Sequence, residues 1–203
     1  VVIVQKTNSF KFIETFDIKE IVDHIKNFDR EWFTIPELAM DRTNNPVDVL
    51  PIFKVPMYFN PMSSSTELLP AIRATRDDKL LKLVEPIIKK VESLYNSRHG
   101  RVWLAKLEAG KKIPLHIDHA DSEGKERSDG FYSFAVHRVH ISLITNDDVI
   151  FNVNEEIKNF KVGECWEMNN NVPHTIENNS NFDRIHLVID ILPEEWDSYG
   201  NSH

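Results

Sequence analysis

At 203 residues, with 41% hydrophobic and 28% charged positions, the chain has the size and composition of an ordinary globular protein with one substantial core. A formal net charge of −8 excludes a general phosphate-backbone binder, which needs a basic face. The single cysteine, Cys165, excludes an intrachain disulfide, and no apolar run reaches spanning length or reads as a signal peptide. The expectation is a cytoplasmic protein with neither membrane nor nucleic acid as partner; a start on Val1 fits a trimmed or partial product.

In "FDIKEIVDHIKNF", Ile18, Ile21, Val22, Ile25 and Phe28 fall at helical spacing, with Asp17 as the expected N-cap. The Pro- and Ser-containing "NNPVDVLPIFKVPMYFNPMSSSTELLP" reads as loop with a short extended piece. A second helix is expected at "DDKLLKLVEPIIKKVESLYNS". Acidic residues open it, an apolar stripe runs from Leu80 to Leu94, and Pro86 should kink it. From residue 101 short alternating runs take over: "RVWLAKLEAG", "KIPLHID", "FYSFAVHRVHISLI", "DVIFNV", "FKVGECWEM", "HTIEN" and "DRIHLVIDIL". Many short strands without intervening helices predict an antiparallel sandwich or barrel rather than a parallel α/β sheet. The expected organisation is one domain over 1–203. Residues 1–100 form a helical support with loops, 101–192 a mainly β core, and 193–203 a tail.

Strand alternation sorts the faces. Along "RVHISLI", Arg138, His140 and Ser142 share one face, with Val139, Ile141 and Leu143 on the other. Along "DRIHLVIDIL", Arg184 and His186 oppose Ile185, Leu187, Ile189 and Ile191. If the apolar faces pack on helices, the ionisable faces converge inside a barrel.

"PLHIDHA" places His116 and Asp118 two positions apart and so on one face. Metal site, acid/base cluster and solvated strand end all fit that stretch taken alone. His174, in "NVPHTIEN", is the candidate third member. Two histidines and one carboxylate on one side of an octahedron leave three positions open, which suits non-haem Fe(II) activating dioxygen. Arg184, ten residues on, is placed to clamp a dicarboxylate by a bidentate pair.

In order and spacing, "HID", "RVHISLI", "VGECWEMNNNVPHTIEN" and "DRIHLVID" resemble successive blocks of the aspartyl/asparaginyl β-hydroxylase family of Fe(II)/2-oxoglutarate-dependent oxygenases. The resemblance covers roughly residues 101–192. It implies a double-stranded β-helix (jelly-roll) core, with Fe(II) on His116, Asp118 and His174. It also implies 2-oxoglutarate held by Arg184, with Arg138 and His140 positioning it near the metal. The reaction implied is hydroxylation of an unactivated carbon by O2, with succinate and carbon dioxide as co-products. The chain departs from the animal members, which lack the acidic ligand. With Asp118 present it is more similar to bacterial free-amino-acid and prolyl-type hydroxylases, and halogenation is disfavoured. The charged segment over residues 120–136 reads as a flap, with Phe131, Tyr132 and Phe134 as substrate contacts.

Each residue also has a plainer reading. His-x-Asp arises readily by chance in a chain with nine histidines. His119 faces away from the pair, and His24, His99 and His203 read as solvent-exposed. Arg138 has Asp190 as a structural partner, His186 a hydrogen bond within the barrel, and Cys165 a buried inert role. Trp103 and Trp166 read as core. Two rival functions stand beside the hydroxylase: a cupin-type metal enzyme, which typically needs a His-x-His pair, and a non-catalytic β-sandwich binding module. The expected partner is a free amino acid, short peptide or other small molecule; the sequence does not specify an oligomeric state.

Overall fold

The computed structural model describes residues 7–27, 33–34, 48–51, 77–118 and 136–193. In chain order the elements are β1 (Phe10–Thr15), α1 (Lys19–Lys26), β2 (Phe33–Thr34), β3 (Asp48–Pro51) and α2 (Asp78–Tyr95). They continue with β4 (His99–Leu107), β5 (Lys112–His116), β6 (His137–Ile144) and β7 (Val149–Val153). The last four are β8 (Glu156–Lys158), β9 (Glu164–Met168), β10 (His174–Asn178) and β11 (Arg184–Ile191).

These strands make a seven-stranded sheet, ordered β1-β9-β6-β11-β4-β3-β2, and a four-stranded sheet, ordered β5-β10-β7-β8. Every pairing is antiparallel. From β4 onward the chain alternates between the sheets, with only β7 and β8 adjacent as a hairpin. This winding is the double-stranded β-helix, and it agrees with the mainly β class expected from the sequence.

Alternation along the strands builds two cores. Val139, Ile141 and Leu143 of β6 and Leu187, Ile189 and Ile191 of β11 pack outward on the helices. They meet Ile21 and Ile25 of α1 and Leu80, Val84, Ile87, Ile88 and Val91 of α2. Each such fully buried aliphatic side chain stabilises the packing by roughly 1.5–3 kcal/mol. The second core lies between the sheets and includes Leu107, Ile113, Phe151, Phe160, Met168 and Ile176. The opposite faces of β6 and β11 line that same interior, which is where the polar side chains gather.

The helices differ from expectation in detail. α2 is capped by Asp77, whose carboxylate accepts from the Leu80 N–H at 2.8 Å, and closes on Asn96 at φ 50°. It continues through Pro86 as one element. Pro86 and Lys82, whose carbonyl loses its i+4 donor, are both exposed, so water can satisfy that oxygen. The N-cap of α1 is Ile18, without a side-chain cap. Asp17 lies one residue earlier and accepts from the Lys19 N–H at 3.1 Å.

The first hundred residues also do more than support the core. β1, β2 and β3 belong to the large sheet, β1 along β9 and β3 along β4. The short extended piece expected in the Pro-rich stretch is β3. No helix among the described residues is long and apolar enough to cross a membrane.

Candidate metal centre and anion pocket

β5 ends at His116, and Asp118 lies just beyond it in a turn rather than on the strand as its alternation suggested. The turn is fixed by the Asp118 N–H, which donates to the Asn170 carbonyl at 3.1 Å. Asn170 belongs to the Asn-rich link between β9 and β10, so the segment that leads into His174 also anchors Asp118. Across the sheet His174 is the register partner of His116, and their ring centroids lie 4.2 Å apart. Three distant or turn-separated residues thus meet at one sheet end.

The imidazoles are oriented by their backbone. His116 Nδ1 lies 2.7 Å from the Pro114 carbonyl and His174 Nδ1 lies 2.9 Å from that of Val172. A carbonyl only accepts, so the Nδ1–H group of each ring donates and Nε2 is the nitrogen each ring can offer to a metal. Those Nε2 atoms face Asp118 Oδ1 at 3.2 Å and 3.6 Å. One ligand atom from each of the three residues lies within 4.8 Å of the others. Three electron-rich atoms converging at a buried point fit a shared divalent cation, and imidazole with carboxylate suits iron.

Arg138 governs the other side of Asp118. Its Nη1 binds Asp118 Oδ2, while Nε and Nη2 bind Asp190 Oδ1 and Oδ2 at 2.8 Å and 3.0 Å. The guanidinium also lies over the Trp103 ring, 5.2 Å from its centroid. Burial acts to raise the Asp118 carboxyl, but the charge of the adjoining Arg138 leads the interactions that outweigh it and hold the group well below the usual carboxylate range. Asp118 is therefore ionised, with Oδ1 directed at the histidines.

Deeper in the barrel the polar face of β6 meets that of β11. His140, Ser142, Arg184 and His186 are all buried. Arg184 Nε and Nη1, both ring nitrogens of His140 and of His186, and Ser142 Oγ meet no hydrogen-bond partner among the described residues. His186 therefore lacks the barrel hydrogen bond expected of it. Burial pushes Arg184 down to about 9. Burial, then the nearby Arg184, hold His140 and His186 well below the ordinary histidine value, so both rings are neutral. A buried cation with unmet donors beside the cluster fits an anionic ligand that reaches it from the metal side.

The remaining sequence readings sort clearly. His137, out of phase with His140, binds Glu167 Oε1 at 2.7 Å on the helix side of the sheet. His24 and His99 are half-buried rather than solvent-exposed: each pairs with a carboxylate, Asp77 at 3.0 Å and Glu92 at 2.7 Å. Cys165 lies in the helix-side core, and burial pushes its thiol well up. Trp103 is half-buried beneath Arg138, and Trp166 stacks on Phe160 with centroids 5.7 Å apart. The flap over 120–136, up to residue 135, with Phe131, Tyr132 and Phe134, lies outside the described residues, as do His119, His203 and most of the Pro-rich loop. Sequence alternation placed Ser142 and His186 on the converging faces, but neither was assigned a part in the site.

Comparison with known proteins places the same features in a family. The family model described as aspartyl/asparaginyl beta-hydroxylase matches residues 72–193, more than half of the chain. No curated protein matches the chain in sequence. Among solved structures, an oxidoreductase of the 2OG-Fe(II) oxygenase family from Burkholderia pseudomallei is similar at 14% identity and a TM-score of 0.55. The alignment covers 86% of this chain and 78% of that one. A Pseudomonas putida prolyl-4-hydroxylase is similar at 10% identity, with a TM-score of 0.56 and coverage of 93% and 94%. A prolyl hydroxylase from Trichoplax adhaerens, in complex with a hypoxia inducible factor oxygen degradation domain peptide, is similar at 12% identity. Its TM-score is 0.56, with 97% of this chain and 89% of that chain covered. At such identities these likenesses establish the shared fold.

Proposed function

The chain belongs to the aspartyl/asparaginyl β-hydroxylase family, and so to the Fe(II)/2-oxoglutarate-dependent hydroxylases; on that premise we propose how its residues divide the work. His116, Asp118 and His174 hold Fe(II), and Arg184, Arg138 and His140 serve 2-oxoglutarate. The substrate is an amino acid or a peptidyl residue hydroxylated at an unactivated carbon, with succinate and carbon dioxide as co-products. The peptide in the Trichoplax adhaerens prolyl hydroxylase supports a peptidyl target. The observation that carries the reading is the commitment of both Nδ1–H groups to carbonyls, which leaves two Nε2 atoms and Asp118 Oδ1 facing one point.

When bound, the iron supplies dioxygen activation coupled to oxidative decarboxylation of 2-oxoglutarate. The chain's own residues do the rest. Arg138 occupies Asp118 Oδ2 and so directs Oδ1 to the metal. Arg184 binds the carboxylate remote from the metal by a charge-assisted pair. His140, neutral and two same-face steps nearer the Arg138 end of the sheet than Arg184, gives that ligand a hydrogen-bond donor. The aromatic wall of Phe151, Phe160 and Trp166 excludes water from this end of the barrel. We extend the proposal to one domain over 1–203 in which 101–192 carries the site and 193–203 is a tail. A reducing, cytoplasmic setting suits the lone buried Cys165.

The test is ligand-induced stabilisation. Mn(II), a stand-in for Fe(II) without its oxidation chemistry, should raise the melting temperature, and 2-oxoglutarate should raise it further. At a concentration of 100 times Kd each contributes about 2.7 kcal/mol. His116→Ala and His174→Ala should lose the metal response. No response to either ligand would favour the non-catalytic binding module.

A further inference from the structure

Residues 169–173 link β9 to β10, and carbonyl groups of this link hold two of the three proposed ligands. The Asn170 carbonyl accepts from the Asp118 N–H at 3.1 Å, and the Val172 carbonyl lies 2.9 Å from His174 Nδ1. The Pro173 carbonyl accepts from the Asn154 N–H at 2.9 Å and fixes the far end of the link. Asp118 reaches the site from one turn and His174 from the start of a strand. Their relative placement therefore depends on the path of residues 169–173. That path belongs to neither strand, so local side-chain hydrogen bonds have to set it.

The side chain of Asn169 supplies them. Its Oδ1 accepts from the Asn171 N–H at 3.0 Å, which closes a turn two residues on. Its Nδ2 donates to the carbonyls of Thr7 at 2.8 Å and Asn8 at 3.2 Å, just before β1. Its own backbone N–H donates to the Ser9 carbonyl at 2.9 Å. A carbonyl only accepts and an N–H only donates, so this orientation of the amide is the one that satisfies every partner. Asn169 is buried, so water does not substitute readily for any of these bonds. Two atoms thus do separate work: the oxygen bends the link, and the nitrogen moors it to the chain entering β1. An aspartate would keep the bend but set a carboxylate oxygen against two carbonyls, and an aliphatic side chain would do neither.

We propose that Asn169 is a positioning residue for the metal centre, its side-chain oxygen aiming the Asn170 and Val172 carbonyls at Asp118 and His174. The proposal rests on the metal-centre reading given above. Donation from Nδ1 to the Val172 carbonyl is what leaves His174 Nε2 directed at Asp118 Oδ1, 3.6 Å away. Opening the turn removes that acceptor from the ring and the backbone anchor from Asp118 together. The residue touches no ligand side chain and acts on both through the backbone.

Asn178 provides the comparison that separates this role from stability alone. It closes the opposite end of β10 with the same chemistry. Its Nδ2 donates to the carbonyls of Leu107, Glu108 and Phe182 at 3.0, 3.1 and 2.9 Å, and its Oδ1 accepts from the Ser180 N–H at 3.3 Å. It is fully buried, so its truncation costs stability without reaching the link.

The experiment is calorimetric titration of the full chain with Mn(II), alongside melting temperatures and the imidazole nitrogen resonances of the metal-free protein at alkaline pH. Asn169→Ala should weaken Mn(II) binding by about tenfold or more, as loss of a group that orients a ligand does. The His174 ring, protonated on Nδ1 in the unaltered protein, should then show mixed tautomers. Asn169→Ser keeps an oxygen that can accept the Asn171 N–H, so it should recover most of the affinity while its melting temperature stays low. Asn178→Ala should melt lower too, with Mn(II) affinity and the His174 tautomer unchanged. Asn169→Gln carries the test alone if Asn169→Ala does not fold: it keeps the amide but lengthens it by one methylene, so the turn cannot close and affinity should fall. Mn(II) binding by the Asn169 variants as tight as that of the unaltered protein overturns the proposal. So does an equal loss in Asn178→Ala, which would make the effect one of stability. Should the unaltered protein itself bind no Mn(II), the metal-centre reading falls and this role falls with it.

Discussion

Arg138 grips Asp190 through two parallel contacts, Nε to Oδ1 at 2.8 Å and Nη2 to Oδ2 at 3.0 Å, while its third nitrogen takes an oxygen of Asp118. One guanidinium thereby joins a fully buried carboxylate to the one that faces the two histidines. Because Arg138 is itself buried, removal of either acid strands a charge away from water.

Asp190→Ala is expected to cost about 3–5 kcal/mol in urea denaturation, the value for breaking a buried pair from one side. The same variant should weaken Mn(II) binding by about 10–100-fold, since Asp118 loses its orienting neighbour. A loss of about 1 kcal/mol or less, as for an exposed pair, would show that Asp190 is not held as described.

The pH profile of co-substrate binding follows from Arg184. Burial lowers its guanidinium to about 9, and only the charged form takes a carboxylate. Binding of 2-oxoglutarate to the Mn(II)-loaded chain is therefore full near neutrality and declines as pH rises to about 9 and beyond. The bound anion favours the charged form, so the midpoint lies at or above that value. A titration that stays flat across this range would contradict the anion-binding role of Arg184.

Glu167 predicts an acid-side effect on stability. Burial acts to raise its carboxyl, but hydrogen bonds from His137 and from Tyr95, each 2.7 Å long, outweigh it and hold the group below the ordinary value. A depressed folded pKa contributes stability above the unfolded pKa that is lost as pH falls through the folded one. Glu167→Gln should lower the melting temperature near neutrality, by the equivalent of about 1.5–3 kcal/mol for hydrogen bonds to a charged group. Its melting temperature should also fall less steeply on acidification. Parallel curves for the two proteins would remove Glu167 from that balance.

Gly163 supplies a backbone test. Its φ is +82°, and a Cβ there would lie 2.7 Å from the Phe16 carbonyl oxygen. Its own N–H donates to Ser142 O at 2.8 Å and its carbonyl accepts from the Phe16 N–H at 2.9 Å, so it joins β1 to the central strands. Gly163→Ala should cost about 1–3 kcal/mol in chemical denaturation. Gly110, at φ +69° but with open space around it, should cost less on the same substitution.

Most of the β core was legible because buried strands with one polar face print a period of two in the sequence. The two faces of β6 and β11 read correctly for that reason, and so did the inward convergence of His140 and Arg184. β1 left no such print: it is an edge strand with no fully buried residue, and Phe12 on it is 49% exposed. β8 is three residues of a hairpin with Ile157 exposed, too short for a pattern. The two misread histidines differ in cause: His99 meets Glu92 only seven residues back, across the link from α2 to β4. His24 meets Asp77 across 53 residues, and no local spacing announces a partner that far away. Asp118 deviates for the converse reason: its alternation was right for side-chain direction, but its backbone is held by Asn170 in a turn.

The central claim is tested most directly by succinate formation from 2-oxoglutarate with Fe(II) and ascorbate, in the unaltered protein, His174→Ala and Arg184→Ala. The unaltered protein is expected to form succinate slowly even without substrate, and both variants to fall to background. Succinate formation that persists in His174→Ala at the unaltered rate would contradict the metal centre. A properly folded, Mn(II)-binding protein that forms no succinate with any amino acid or peptide supplied would contradict the hydroxylase reading itself.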